Sequence, residues 1–143
     1  MSEVFIMTIW PFAEGRLSEI CDMINKKHKL LSLSKFPFSI SWQDMIKKVY
    51  TDDKIKEYKL IPKVECLSSY PKYVYIAYIS VDDPKYYTKP DGRIISGSMA
   101  ELKKEIRAKF GPKREADKNP LHIPDNEEHS NNYQRILEEL KCF

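Results

Sequence analysis

The three histidines of this 143-residue chain occupy different kinds of sequence position, and one is placed for chemistry on phosphate. His28 lies in a Lys-Lys-His-Lys run that ends a predicted helix, and His129 lies beside two glutamates near the start of another. Both are expected on solvated faces. His122 ends a short apolar segment three residues before Asp125, the predicted N-cap of the last helix. Because the free N–H groups of a helix N-terminus attract anions, an imidazole there can meet a phosphate group.

Composition is typical of a folded domain spanning residues 1–143. Lysine and arginine number 24 against 21 acidic residues, so the net charge of +3 is too small to indicate a nucleic-acid binder by itself. Cys21, Cys66 and Cys142 form no Cys-x-x-Cys pair and are expected as free thiols in a reducing compartment. The sequence contains neither an apolar run that could span a bilayer nor a signal-peptide pattern, so the expected location is cytoplasmic, with no membrane partner.

Hydrophobic periodicity predicts strands alternating with helices. The predicted strands are 4–10, 30–36, 73–81 and 119–123. The predicted helices are 17–24, 41–49, 98–110, which Ser98 caps, and a last helix that carries Tyr133, Ile136, Leu137 and Leu140 on one face. The segment 51–71 is irregular. The segment 82–97 reads as an exposed loop in which Lys89-Pro90-Asp91-Gly92 forms a turn.

This order of elements favours an α+β fold over a doubly wound parallel sheet. Doubly wound sheets use glycine-rich turns between strand and helix, and the chain has four glycines. We therefore predict a ferredoxin-like split βαβ sandwich, a four-stranded antiparallel sheet with helices packed on one face.

The segment Asn119-Pro120-Leu121-His122-Ile123-Pro124-Asp125 resembles the Asn-x-x-His-x-x-Asp active-site segment of the nucleoside diphosphate kinases. Local sequence alone equally allows a half-buried strand histidine with a satisfied ring. Four further stretches resemble motifs of that family, in the family's order over nearly the whole chain: 20–36, 50–58, Gly92-Arg93-Ile94 and 106–111. The resemblance implies the same α+β fold.

The resemblance also implies a two-step phosphotransfer. His122 would attack the γ-phosphate of a nucleoside triphosphate and pass the phosphoryl group to a diphosphate. The other implied nucleotide-binding residues are Tyr50, Lys56, Tyr58, Arg93, Arg107 and Asn119. Tyr58 would stack on the base, and the cations would neutralise phosphate oxygens. Mg²⁺ would be held through the nucleotide phosphates, with no metal site built from protein ligands.

Several positions depart from the family's pattern. Trp10 stands where the family has a lysine, and Ile123-Pro124 replaces a Gly-Ser pair after the histidine. The carboxylate that orients the family's histidine falls near Tyr133, and Lys56 replaces an arginine. A capped helix over 98–110 takes the place of a long loop, which leaves the direction of Arg107 open.

Two alternatives therefore stand beside the enzyme. One is a nucleotide-binding module of the same fold without turnover. The other is a ferredoxin-like RNA or protein interaction domain, which would use the tyrosines of 73–87 among the lysines and arginines of 72–93. No Gly-aromatic signature of an RNA-binding sheet is present, so nucleic acid is not the expected partner. The subunit number, including a homo-oligomer, stays open.

Overall fold

The computed structural model describes residues 2–52, 55–110 and 119–141. Its strands are β1 (Glu3–Ile9), β2 (Lys29–Pro37), β3 (Tyr73–Val81), β4 (Tyr86–Thr88), β5 (Ile94–Ser96) and β6 (Leu121–His122). Four of them form an antiparallel main sheet in the order β2-β3-β1-β6, which is the order of the ferredoxin-like fold expected from the sequence. The other two, β4 and β5, pair in a separate hairpin.

Five α-helices connect these strands in the described part of the chain. They are α1 (Leu17–Lys27), α2 (Trp42–Val49), α3 (Glu57–Leu67), α4 (Gly97–Phe110) and α5 (Glu127–Lys141). A short 3₁₀ helix, Pro11–Arg16, links β1 to α1. The proline at its first position suits a helix start, because that N–H would have no intrahelical acceptor.

Helices cover both faces of the sheet, so the expectation of one covered face was wrong. Alternate residues of β1 enter two separate apolar clusters, one with α1 and α4 and the other with α2, α3 and α5. Every side chain from Phe5 to Trp10 is buried. A strand buried on both faces is apolar nearly throughout, which is the pattern that β1 shows.

Helix α3 lies inside the segment that the sequence indicated to be irregular. Pro62 interrupts its helical pattern, since proline removes one backbone hydrogen bond and disfavours helix interiors. The buried residues Leu60, Lys63 and Leu67 nevertheless recur at helical spacing. Contacts with the second apolar cluster thus override the local signal of the proline.

The segment 82–97 contains the β4–β5 hairpin, where we had predicted only a loop. The turn at 89–92 is confirmed: the N–H of Gly92 bonds to the carbonyl of Lys89 at 2.9 Å, and Gly92 has a φ of 91°, which glycine adopts without strain. The cap of α4 lies two residues earlier than predicted. Ser96 Oγ, not Ser98, accepts the amide of Met99 at 3.2 Å.

A buried hydrogen bond joins β1 to α5. Thr8 Oγ1 donates to the hydroxyl of Tyr133 at 2.8 Å, and both residues are almost fully buried. Burial also raises the pKa of the Tyr133 phenol, so it stays neutral. This contact ties the last helix to the central strand within the second apolar cluster.

We expect Thr8→Val to destabilise the protein by about 1–3 kcal/mol, because it leaves the buried Tyr133 hydroxyl without its donor. Urea unfolding followed by circular dichroism would measure the loss. Thr88→Val, at an exposed position of β4, is the matched control and should change stability by less than about 0.5 kcal/mol. Equal midpoints for the two variants would contradict the role given to this hydrogen bond.

Candidate functional site

His122 lies on the edge strand β6, directly opposite Thr8 of β1. Residues opposite each other in an antiparallel pair share a face, so the imidazole lies on the side of the sheet that α5 covers. Only 5% of His122 is exposed. Pro120 and Pro124 flank the strand and cannot donate ladder hydrogen bonds, which agrees with its two-residue length. The expected strand 119–123 therefore exists in a shorter form.

The ring of Tyr50 covers one side of the His122 imidazole. The two ring centroids are 4.1 Å apart, with an interplanar angle of 44°. Tyr50 is the C-cap of α2, and its amide bonds to the carbonyl of Ile46 at 3.1 Å. The capped end of α2 therefore determines where the phenol lies.

Arg107 and Asn119 meet beside this pair. Arg107 Nε donates to Asn119 Oδ1 at 2.8 Å. Part of the Arg107 side chain is exposed, yet neighbouring protein atoms lower the pKa of its guanidinium, and interaction with Tyr50 raises that pKa by a smaller amount. Arginine stays charged under these conditions. The open direction of Arg107 is thus decided: α4 carries it toward Asn119 and Tyr50.

Arg93 lies at the base of the hairpin turn, between two carboxylates. Its Nε is 2.9 Å from Asp91 Oδ2, and its Nη1 is 4.0 Å from Asp125 Oδ2. The backbone N–H and then the guanidinium of Arg93 lower the pKa of Asp91. Asp91 and Asp125 therefore already neutralise part of the Arg93 charge that was expected to face a phosphate.

Asp125 does not cap the last helix. The cap is Asn126, whose Oδ1 accepts the amide of His129 at 3.0 Å. Asp125 is buried, and its carbonyl accepts the amide of Ser96 at 2.7 Å. Its carboxylate faces Arg93, because α5 begins one residue later than the sequence indicated.

Lys56 and Tyr58 lie at the exposed start of α3. Lys56 is the N-cap residue, and Tyr58 is 67% exposed. The Lys59 ammonium lies 5.8 Å from the centroid of the Tyr58 ring. The structure thus places Tyr50 on the His122 ring and Arg107, bonded to Asn119, near Tyr50, and it leaves Lys56 and Tyr58 at the surface.

Trp10, where the resemblance led us to expect a lysine, lies in the core beside a buried lysine from α3. Trp10 is fully buried and packs edge-on against Trp42, with centroids 6.4 Å apart. The ammonium of Lys63 lies 4.8 Å from the Trp10 centroid, although Lys63 is only 3% exposed. Lysines are seldom buried, but Lys63 is spaced three residues from Leu60 on the core face of α3, which is a signal the sequence offered.

His129 is a site residue that sequence reasoning missed. It was expected on a solvated face, yet it is half-buried and shares a cavity with His122. The cavity measures about 10 Å³, and its lining residues are Lys48, Val49, Thr51, Asp52, His122, Pro124, His129 and Tyr133. The spacing of four residues between His129 and the core residue Tyr133 could have indicated this face.

A larger cavity of about 430 Å³ lies elsewhere, and none of the expected site residues lines it. Its walls include the ends of α1 and α4, where Lys27 bonds to Glu101 at 3.1 Å and to Glu105 at 2.9 Å. His28 also lines it, and is half-buried where we expected it to be solvated. Burial, and then Lys27, lower the pKa of His28. Four carboxylates and two lysines line the cavity, so its charge is net negative and does not suit a phosphate group.

Four of the five tyrosines considered for RNA stacking bond to other side chains of the protein, and the fifth, Tyr87, is exposed. The hydroxyls of Tyr73 and Tyr75 both bond to the Glu14 carboxylate, and the two rings pack edge to face with centroids 5.6 Å apart. The bond to Glu14 raises the pKa of Tyr75 to about 12. The Lys35 ammonium lies 4.0 Å from the Tyr73 centroid. These contacts do not favour a surface for stacking bases.

The fold is similar to that of nucleoside diphosphate kinase from Aquifex aeolicus. The match has a TM-score of 0.60 and 21% sequence identity, and covers 96% of this chain and 95% of that chain. No protein-family model matches the sequence. No curated protein matches it either. At this identity the likeness confirms the α+β, ferredoxin-like fold, while function has to be argued from the site.

The described residues contain neither a cluster of metal-ligating side chains nor a membrane-spanning helix. In 2–52, 55–110 and 119–141, no group of three or more His, Cys, Asp or Glu side chains is arranged to hold a metal ion. No helix in that part of the chain is both long enough and apolar enough to cross a membrane.

We expect Tyr50→Ala to raise the reactivity of His122 toward diethylpyrocarbonate several-fold near neutral pH, because the phenol covers the imidazole. Mass spectrometry of the peptide containing His122 would measure the rate. Tyr50→Phe keeps the ring and should react like the wild type, as should Tyr58→Ala at the exposed start of α3. An unchanged rate in Tyr50→Ala would show that the ring does not shield His122.

Proposed function

We propose that this protein is a nucleotide phosphotransferase in which His122 carries the phosphoryl group. One observation supports this most: three separate segments meet at this site, where the Tyr50 ring lies on the His122 imidazole and Arg107, bonded to Asn119, interacts with Tyr50. The convergence joins a nucleophile, a cation, an amide and a phenol, which are groups that phosphoryl transfer uses. The likeness to a nucleoside diphosphate kinase fold supports the same proposal.

The chemistry takes place in two displacements. An imidazole nitrogen of His122 attacks the γ-phosphorus, the bond from that phosphorus to the β–γ bridging oxygen breaks, and the nucleoside diphosphate leaves with the electron pair. A terminal oxygen of a second diphosphate then attacks the phosphohistidine and restores the imidazole. Arg107 supplies positive charge to the transferring oxygens, and the Asn119 side chain holds that guanidinium in place.

The exposed start of α3 would bind the other end of the nucleotide. Tyr58 presents an open aromatic face on which any base can stack, and Lys56 adds a cation two residues earlier in the chain. Tyr50 and Arg107, which lie at this site, are not Mg²⁺ ligands, so a Mg²⁺ ion would be held by the nucleotide's own phosphates. Bound in that way, Mg²⁺ would neutralise phosphate charge.

The closed state of His122 favours a second candidate, a nucleotide-binding protein without phosphotransfer. His122 is 5% exposed beneath Tyr50, and the cavity beside it has room for about one water molecule, which is too small for a phosphoryl group. Transfer therefore needs the Tyr50 ring to move aside. The buried Trp10, in place of the family's lysine, supports the second candidate as well.

Labelling with γ-³²P-ATP and Mg²⁺ tests the first proposal. We expect an acid-labile, base-stable label that His122→Gln abolishes and that the matched control His28→Gln retains. A chase with nucleoside diphosphates should remove it. Absence of label, with nucleotide binding seen by calorimetry, would establish the second candidate, and absence of both would refute the two together.

We expect Tyr58→Ala to weaken nucleotide binding by about 1–3 kcal/mol, which is about 5- to 150-fold in Kd, because it removes the stacking face. Calorimetry with a non-hydrolysable triphosphate would measure the change. Tyr87→Ala, at an exposed position of β4, is the control and should bind like the wild type. Equal affinities for the two variants would place the base elsewhere.

A further inference from the structure

The small cavity beside His122 has polar walls from two elements. Lys48, Thr51 and Asp52 come from the end of α2 and the turn after it, and His129 and Tyr133 come from the first two turns of α5. A volume of about 10 Å³ lies at the lower limit for one water molecule, which needs two to four polar partners. The cavity therefore suits a single water that bridges the imidazole to its neighbours.

Asp52 is the carboxylate among these walls. The side-chain amide of Asn132, on α5, donates to Asp52 Oδ2 at 3.4 Å and so links the turn after α2 to the last helix. The hydroxyl of Thr51 bonds to the carbonyl of Lys48 at 2.7 Å, which fixes the preceding residue of the same turn. Both contacts hold Asp52 at the wall that it shares with His122.

Tyr133 does not supply a negative charge next to His122. It stands where the resemblance placed a carboxylate, but its hydroxyl accepts the hydrogen bond from Thr8, and its raised pKa keeps it neutral. A histidine that acts as a nucleophile needs its tautomer and ring direction set by a partner, which is commonly a carboxylate. In this cavity the carboxylate is that of Asp52, which comes from the turn after α2 and not from the last helix.

We propose that Asp52 is a positioning residue for His122, its carboxylate orienting the imidazole through one water in this cavity. The inference rests on the proposed function, because it assumes that His122 is the reactive group. The other titratable groups that line this cavity are Lys48 and, from α5, His129 and Tyr133. Tyr50 lies on the imidazole as well, with Arg107 near Tyr50.

The first test is an NMR titration of the His122 imidazole in the full chain, with its signal assigned from its loss in His122→Gln. A nearby carboxylate stabilises imidazolium, so Asp52→Asn should lower the pKa of His122 by about half a unit or more. Asp44→Asn, in the exposed first turn of α2, should leave it unchanged. Asp52→Glu should restore part of the shift.

The second test is the rate of phosphohistidine formation as a function of pH. We expect Asp52→Asn to slow labelling about tenfold or more at neutral pH and to move the midpoint of the pH–rate profile to lower pH. Asp44→Asn should behave like the wild type. Superimposable His122 titrations, or an imidazole that does not titrate in any variant, would overturn the inference. A shifted titration without any label in the wild type would sustain the role of Asp52 and refute the phosphotransfer.

Discussion

The burial of β1 on both faces from Phe5 onward is the constraint on which the rest of the structure depends. Each residue from Phe5 to Trp10 has lost its contact with water, so both faces of the sheet need cover. Helices α1 and α4 cover one face, and α2, α3 and α5 cover the other. Because β6 pairs with β1 at Thr8, the same strand that organises the two apolar clusters also determines the position of His122.

The site is assembled where the ends of several elements meet. The C-cap of α2 provides Tyr50, the last turn of α4 provides Arg107, and the segment before β6 provides Asn119. Residues at the ends of elements are held by their caps and packing, and this limits their movement. The result is an imidazole that is well positioned but covered, so access to it depends on the Tyr50 ring.

The buried charge of Lys63 shows how the second apolar cluster differs from a purely hydrocarbon core. Its ammonium lies against the face of Trp10, an arrangement in which the electron-rich ring compensates part of the lost hydration. Trp10 in turn packs on Trp42, whose indole N–H donates to the carbonyl of Tyr70 at 3.2 Å. Trp10, where the resemblance led us to expect a lysine, therefore packs in the core.

Much of the fold was determined by the sequence alone, because the strongest signals are local. The apolar run of β1, the β-branched and aromatic residues of β3 and the cap of α2 at Ser41 need only neighbouring residues, and the structure has each of them. Strand β2 also forms, but its expected alternation was wrong, because a bulge between Leu30 and Ser32 leaves Leu31 48% exposed. Helix α3 and the β4–β5 hairpin escaped prediction because Pro62, and the turn residues of 82–97, point locally away from regular structure. Tertiary structure decided the features of the site. These are the cover of both sheet faces, the contact of Tyr50 with His122, the pairing of Arg107 with Asn119 and the cavity that His129 and Asp52 share. Each of these features joins residues that are distant in the chain. Their positions depend on where the helices begin, and α4 and α5 begin one or two residues away from the positions that the sequence indicated. Packing and capping hydrogen bonds, and not helix propensity alone, select those starting points.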